Sequence, residues 1–176
     1  MQAAVASWLL QAAAGLYHNT NCVLTLSGGV KCWGHCYPYC GIGAIGYVGR
    51  SAGEMGSNTP GPNLGTDANG TAVGVCSSRK SSCAVFENGG VKCWGDGASG
   101  QLGYGDLLRR YDPVTHMGDS LPWVDLGGSA VAVDCGWDYN CAIMRRSSPR
   151  SWRARTWRNA RAGRATCSRS RRVRLS

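Results

Sequence analysis

The sequence predicts an all-β chain built from repeated four-stranded antiparallel sheets, and three observations carry that prediction. Glycine is abundant, with 26 copies against a single phenylalanine, which favours short strands joined by tight turns over long helices. A segment recurs almost intact: Cys22-Val-Leu-Thr-Leu-Ser-Gly-Gly-Val-Lys-Cys-Trp-Gly34 returns 61 residues later as Cys83-Ala-Val-Phe-Glu-Asn-Gly-Gly-Val-Lys-Cys-Trp-Gly95. A second set of landmarks, Met55-Gly56 through Pro60 to Leu64-Gly65, recurs at an offset of 62 as Met117-Gly118 through Pro122 to Leu126-Gly127. The unit is therefore long, and two independent matches define it.

Each copy of the first segment reads as a β-hairpin. Apolar residues alternate through Val23 to Leu26, Ser27-Gly28-Gly29 turns, and Val30 to Trp33 returns. The second copy turns at Asn88-Gly89-Gly90, residues that accept the positive φ of tight hairpin turns. Further strands are predicted over 8–13, 71–75 and 130–133, each shortly before a Cys-Val, Cys-Ala-Val or Cys-Ala-Ile segment. About four short strands per unit, repeated at this spacing, is the pattern of β-propeller blades, which bury their faces against neighbouring blades.

The hairpin followed by Gly95-Asp-Gly-Ala-Ser-Gly-Gln-Leu-Gly-Tyr-Gly105, then Arg110 and Pro113, resembles a repeat of the regulator of chromosome condensation family, with its Trp-Gly, Gly-Gln-Leu-Gly and downstream Arg and Pro landmarks. The resemblance covers roughly residues 5 to 144. The first copy departs where His35-Cys-Tyr-Pro-Tyr-Cys-Gly-Ile-Gly43 replaces the Gly-Gln-Leu-Gly segment, and of a third hairpin only Cys141-Ala-Ile-Met144 is recognisable. The resemblance implies a partial propeller over residues 1–144, an open array of about two blades and the start of another, from a family whose ring has seven. An open array exposes unpaired edges, so the expectation is a fragment of a longer propeller or self-association through blade edges.

Charge divides the chain. Residues 145–176 hold twelve arginines and no acid, leaving seven basic residues against ten acidic ones in 1–144. The body is mildly acidic and the net +9 belongs to the tail. The tail is read as disordered, and its one-step change of composition as an out-of-frame end in preference to a functional segment. In the functional reading, Arg153, Arg155, Arg158, Arg171 and Arg172 contact nucleic-acid phosphates while Trp152 and Trp157 stack on bases. No stretch is long and apolar enough to span a bilayer. The apolar start lacks the basic residues that open a secretory leader, and an intracellular location is favoured over secretion.

Ten cysteines invite bridges or metal. Cys22 and Cys32, and likewise Cys83 and Cys93, face one another across the hairpins and are candidate disulfides, with packing as small apolar side chains the favoured reading. Cys32, His35, Cys36 and Cys40 offer zinc-type ligands, but no second pair follows at finger spacing, and no metal or cofactor is expected. His18, His35 and His116 lie in no nucleophile or metal signature, so no catalytic residues are assigned. Gly136-Trp137 resembles the first two positions of a Gly-Trp-Arg-His-Thr motif in the plant ultraviolet-B photoreceptor of the same family. The arginine is missing, and Trp137 is expected to fill a blade interface.

These readings converge on a protein-interaction scaffold without enzymatic activity. The resemblance implies one alternative, a guanine-nucleotide exchange regulator whose partner is a small GTPase. The tail supplies the other, nucleic-acid binding.

Overall fold

The protein is described here by a computed structural model that covers residues 9–14, 20–36, 39–43, 46–66, 71–145 and 153–157. Three antiparallel sheets follow one another along the chain. The first contains β1 (Leu9–Ala14), β2 (Thr20–Thr25), β3 (Val30–His35) and β4 (Tyr47–Val48), in that order. The second contains β5 (Ala72–Ser77), β6 (Ser81–Phe86) and β7 (Val91–Gly95), and a single bridge between Gly95 and Arg110 stands where the fourth strand would run. The third contains β8 (Ala130–Cys135), β9 (Asn140–Met144) and β10 (Arg153–Trp157). The described residues are all-β, apart from two single-turn 3₁₀ segments at Gly56–Asn58 and Gly118–Ser120.

The hairpins form where the repeated segments predict them. Cys22 pairs with Cys32 and Val23 with Lys31, just as Cys83 pairs with Cys93 and Ala84 with Lys92. Gly28 and Gly89 take φ of 75° and 82°, the left-handed turn conformation that a side chain resists. The outer strand of each sheet carries the same irregularity, between Leu9 and Gln11, Ala72 and Gly74, and Ala130 and Ala132. Repetition thus extends to backbone detail that residue identity does not show.

The third sheet crosses the boundary that composition draws after Met144. Arg153–Trp157 pairs with β9 so that Arg155 faces Ala142, Thr156 faces Cys141 and Trp157 faces Asn140. Ala154-Arg155-Thr156-Trp157 therefore holds the register positions of Val91-Lys92-Cys93-Trp94. An eight-residue connection between β9 and β10 replaces the four-residue turn between β6 and β7, and arginine-rich composition hides the match from sequence comparison. The rest of the predicted tail, with Arg158, Arg171, Arg172 and Trp152, lies outside the described residues.

The cores lie between sheets. One cluster joins Leu24 and Val30 of the first sheet to Val75, Phe86 and Trp94 of the second, with Met117 and Leu121 from the long loop. The other joins Val85 and Val91 to Ala142 and Met144 of the third, with Leu102, Val124 and Leu126. Burial against a neighbour is what makes a blade stable. It shows most clearly in the middle sheet, where β6 and β7 are buried at every residue. A polar staple reinforces the second junction: buried Asn140 donates through Nδ2 to Gln101 O at 2.7 Å and to Ser81 Oγ at 3.2 Å. Removing one partner there would leave buried polar atoms unsatisfied.

Candidate interaction surface

The segment after β7 leaves the sheet as a long loop tied at its base. Gly95 N donates to Arg110 O and Arg110 N to Gly95 O at 2.6 and 2.8 Å. Asp106 receives both terminal nitrogens of Arg110, Oδ1 at 2.9 Å and Oδ2 at 2.7 Å. That fork-to-fork geometry fixes orientation as well as charge, and the Arg110 hydrogen bonds hold the Asp106 carboxyl below its usual range. The same guanidinium lies over the Tyr104 ring, 4.1 Å from its centre.

Tyr104 anchors the loop to the blade. Its hydroxyl accepts from Cys93 N at 3.0 Å and lies 2.9 Å from Cys93 O and 3.0 Å from Pro122 O, either of which accepts its proton. Burial pushes its pKa up to about 12, because a phenolate there would lose its hydration. Asp96, itself buried, meets Lys80 at 3.4 Å and Arg109 at 3.1 Å. The Gly-Gln-Leu-Gly-Tyr, Asp and Arg landmarks are thus the hardware that clamps this loop.

What the clamp presents is apolar. Leu107 is 56%, Leu108 63% and Val114 84% exposed, on a loop whose backbone is held by Asp106 Oδ1 to Leu108 N and by Asp112 Oδ1 to Val114 N and Thr115 N. Beside them, Leu108, Arg109, Arg110, Thr115, His116, Ser120 and Pro122 line a shallow cleft. Apolar tips next to hydrogen-bond donors suit a peptide surface. Sequence reading passed over these leucines and Val114, although three apolar residues on a polar loop are themselves the signal.

The predicted site residues are placed as follows. Cys22–Cys32 and Cys83–Cys93 are joined as disulfides. Cys36 is bonded to Cys40, and the His35 ring stacks on Tyr47 at 4.7 Å, so the Cys32, His35, Cys36 and Cys40 set does not converge on one point. A fourth bridge, Cys76–Cys135, links the second and third sheets. Neither Cys36–Cys40 nor Cys76–Cys135 was legible, the latter because Cys76 sits opposite Cys83 while Cys135 sits opposite Asn140, one register position off the repeat. Cys141, buried, is outside these bridges because its register partner is Thr156. His116 borders the cleft; His18 lies outside the described residues. Arg153 and Arg155 are in β10.

Trp137 corrects one expectation. It is 44% exposed rather than filling an interface, and its cation comes from the second blade, with the Arg79 guanidinium carbon 5.0 Å from the ring centre. A cation supplied from elsewhere in the chain leaves no trace beside the tryptophan in sequence.

Neither a protein-family model nor a curated protein matches the sequence. Solved structures do. The chain is similar to human WBSCR16, at 19% identity and a TM-score of 0.53, over 77% of this chain and 30% of that one. It is also similar to Prp20p from Saccharomyces cerevisiae, at 15% identity and a TM-score of 0.55, over 86% and 33%. Yeast RCC1 (Prp20) bound to Kap60 matches at 18% identity and a TM-score of 0.54, over 86% and 32%. The fold is that of an RCC1-like β-propeller. The chain spans about a third of the length of the structures it matches. Among its described residues no helix is long and apolar enough to cross a membrane.

Proposed function

We propose that this chain is a protein-interaction scaffold of RCC1-like architecture that engages partners through the loop spanning 106–116, and that it contributes blades to a longer propeller. The observation that carries the reading is the exposure of Leu107, Leu108 and Val114 on a loop clamped by Asp106, Arg110 and Tyr104. A rigid loop pays little ordering entropy on binding, so apolar tips yield more net affinity there than on a slack one. The similarity to structures three times as long supports the longer propeller. So does Ile143 of the third sheet, 39% exposed where its counterpart Val85 is fully buried.

Guanine-nucleotide exchange on a small GTPase is the second reading. Prp20p is described by its binding to Gsp1p and histones, and that partner chemistry supports a GTPase as one occupant of the loop. Nucleic-acid binding through the Arg-rich segment has less support, since β10 commits Arg153–Trp157 to a sheet. The test is cross-linking of the full chain in cell extract, comparing wild type with the Leu107→Asp/Leu108→Asp variant. Partners captured by the wild type and lost in the variant are expected. Partners retained in full would overturn the loop assignment. Small GTPases among those lost, released from nucleotide faster with the wild type than with the variant, would select exchange.

A further inference from the structure

Cysteine spacing in the three sheets is alike on one rung and unlike in one respect. In the middle sheet Cys76 pairs with Cys83, which pairs with Cys93, so three cysteines stand in a row across β5, β6 and β7. Directly paired residues of neighbouring strands put their side chains on the same face. The corresponding rung of the first sheet reads Ala13, Cys22, Cys32, and that of the third reads Asp134, Cys141, Thr156. Only the middle sheet has three, and the third sheet sends Cys135 against that row, where it is bonded to Cys76.

The sulfurs of Cys76, Cys83 and Cys135 all lie within 4.8 Å of one another, and that of Cys93 is bonded to Cys83. Among the described residues no other group of histidine, cysteine, aspartate and glutamate ligand atoms converges in this way. Four thiolates around zinc, each about 2.3 Å from the metal, lie about 3.8 Å apart, and three of the four sulfurs already lie within 4.8 Å of one another. Cys76 is 5% exposed and Cys83 and Cys93 are fully buried, while Cys135 is half-buried and leaves a path for a metal to enter.

We propose that Cys76, Cys83, Cys93 and Cys135 form a redox-gated metal site at the junction of the second and third blades, holding one zinc ion when both bridges are reduced. Two equivalents of a dithiol supply the electrons. Each dithiol gives two electrons and two protons to one disulfide, becomes a disulfide itself, and leaves two protein thiols. Zinc(II) then displaces the four thiol protons. The oxidised junction is held by the Cys76–Cys135 bond, and the reduced one by four zinc–sulfur bonds from the same residues, so one constellation joins the blades in either redox state.

The full chain, reduced with dithiothreitol and freed of it under anaerobic conditions, is titrated with cobalt(II) as a spectroscopic substitute for zinc. One equivalent is expected to give thiolate-to-cobalt charge transfer and the intense visible bands of tetrahedral cobalt, both abolished by zinc. Cys36→Ser/Cys40→Ser is expected to bind as wild type. Cys76→Ser/Cys135→Ser is expected to lose affinity by more than the roughly 100-fold that mutation of an outer-shell partner costs. Absence of the bands in wild type, or bands unchanged in Cys76→Ser/Cys135→Ser, would overturn the site. If reduction unfolds the chain, one equivalent of zinc must restore its β-sheet circular dichroism in wild type and not in Cys76→Ser/Cys135→Ser; failure to restore it also overturns the site.

Discussion

The first and second blades contain the same five residues, Val30-Lys31-Cys32-Trp33-Gly34 and Val91-Lys92-Cys93-Trp94-Gly95, in the same strand position and the same register. In the second blade every one of them is buried, whereas in the first Lys31, Trp33 and Gly34 are half-buried. The second blade is packed on both faces, by β1 and β2 on one side and β8 on the other. The first has a described neighbour on one face only. Identical sequence therefore makes an identical hairpin and a different environment, because hairpin formation is local and burial belongs to the stack.

Tryptophan should show the largest asymmetry. Trp94 is fully buried and donates through Nε1 to Cys40 O at 3.1 Å, so its packing reaches into the first blade's disulfide-bonded loop. Gly41 must stay a glycine there, with φ of 69° and an added Cβ 2.9 Å from Trp94 Cδ1 and 2.7 Å from Met117 Cε. Trp94→Ala is expected to cost about 3–5 kcal/mol. Trp33→Ala, with less area to lose, should cost about half as much or less. Urea denaturation of the two variants measures the difference, and equal losses would mean that the two blades are equally covered.

Lysine comes next. Lys92 is fully buried, with Nζ donating to Leu64 O at 2.7 Å and lying 4.7 Å from the centre of the Trp123 ring. Lys31 makes the analogous reach to Gly56 O and Ser57 O at 2.8 and 3.0 Å, but from a half-buried position. Lys92→Ala leaves a carbonyl unpaired and a void, an expected loss of about 2–3 kcal/mol. Lys31→Ala should cost about 1 kcal/mol or less, since water replaces the ammonium. Chemical denaturation again decides, and a smaller loss for Lys92→Ala than for Lys31→Ala would break the comparison.

The smallest effect is one of pH. The second blade is closed by Tyr104, and Gly43 stands at the position 61 residues earlier. Tyr104 titrates at about 12 in the folded chain against 10.0 ordinarily, so the folded state retains a proton that the unfolded state loses. Its contribution to stability is complete below pH 10.0 and declines as the pH rises through about 12. Stability measured between these limits should fall with pH in the wild type and fall less steeply in Tyr104→Phe; equal slopes would show that the phenol is not desolvated. Toward acid, Asp106 acts in the opposite sense, its Arg110-lowered pKa giving a contribution that is lost as the pH falls through the folded value.

Much of this was legible in the residues. Repetition located β2, β3, β6 and β7, and the outer strands fell within a residue or two of their predicted ends, because strand pattern and turn chemistry are read over a few neighbours. The Gly-Gln-Leu-Gly, Arg and Pro landmarks led to the RCC1-like fold, while their work as a loop clamp became visible only when Tyr104, Asp106 and Arg110 were seen together. β10 was hidden because register, which no propensity encodes, is what assigns Ala154-Arg155-Thr156-Trp157 to the third sheet.

The sequence by itself determined the hairpins, their turns and the length of the repeat, since each depends on alternation and φ preference within some thirteen residues. Only the tertiary structure decided which copy of Val-Lys-Cys-Trp-Gly is buried, that Cys76 meets Cys135, and that Arg79 covers Trp137. Those outcomes join residues on different blades. Their energies come from surfaces that exist only once the sheets are stacked.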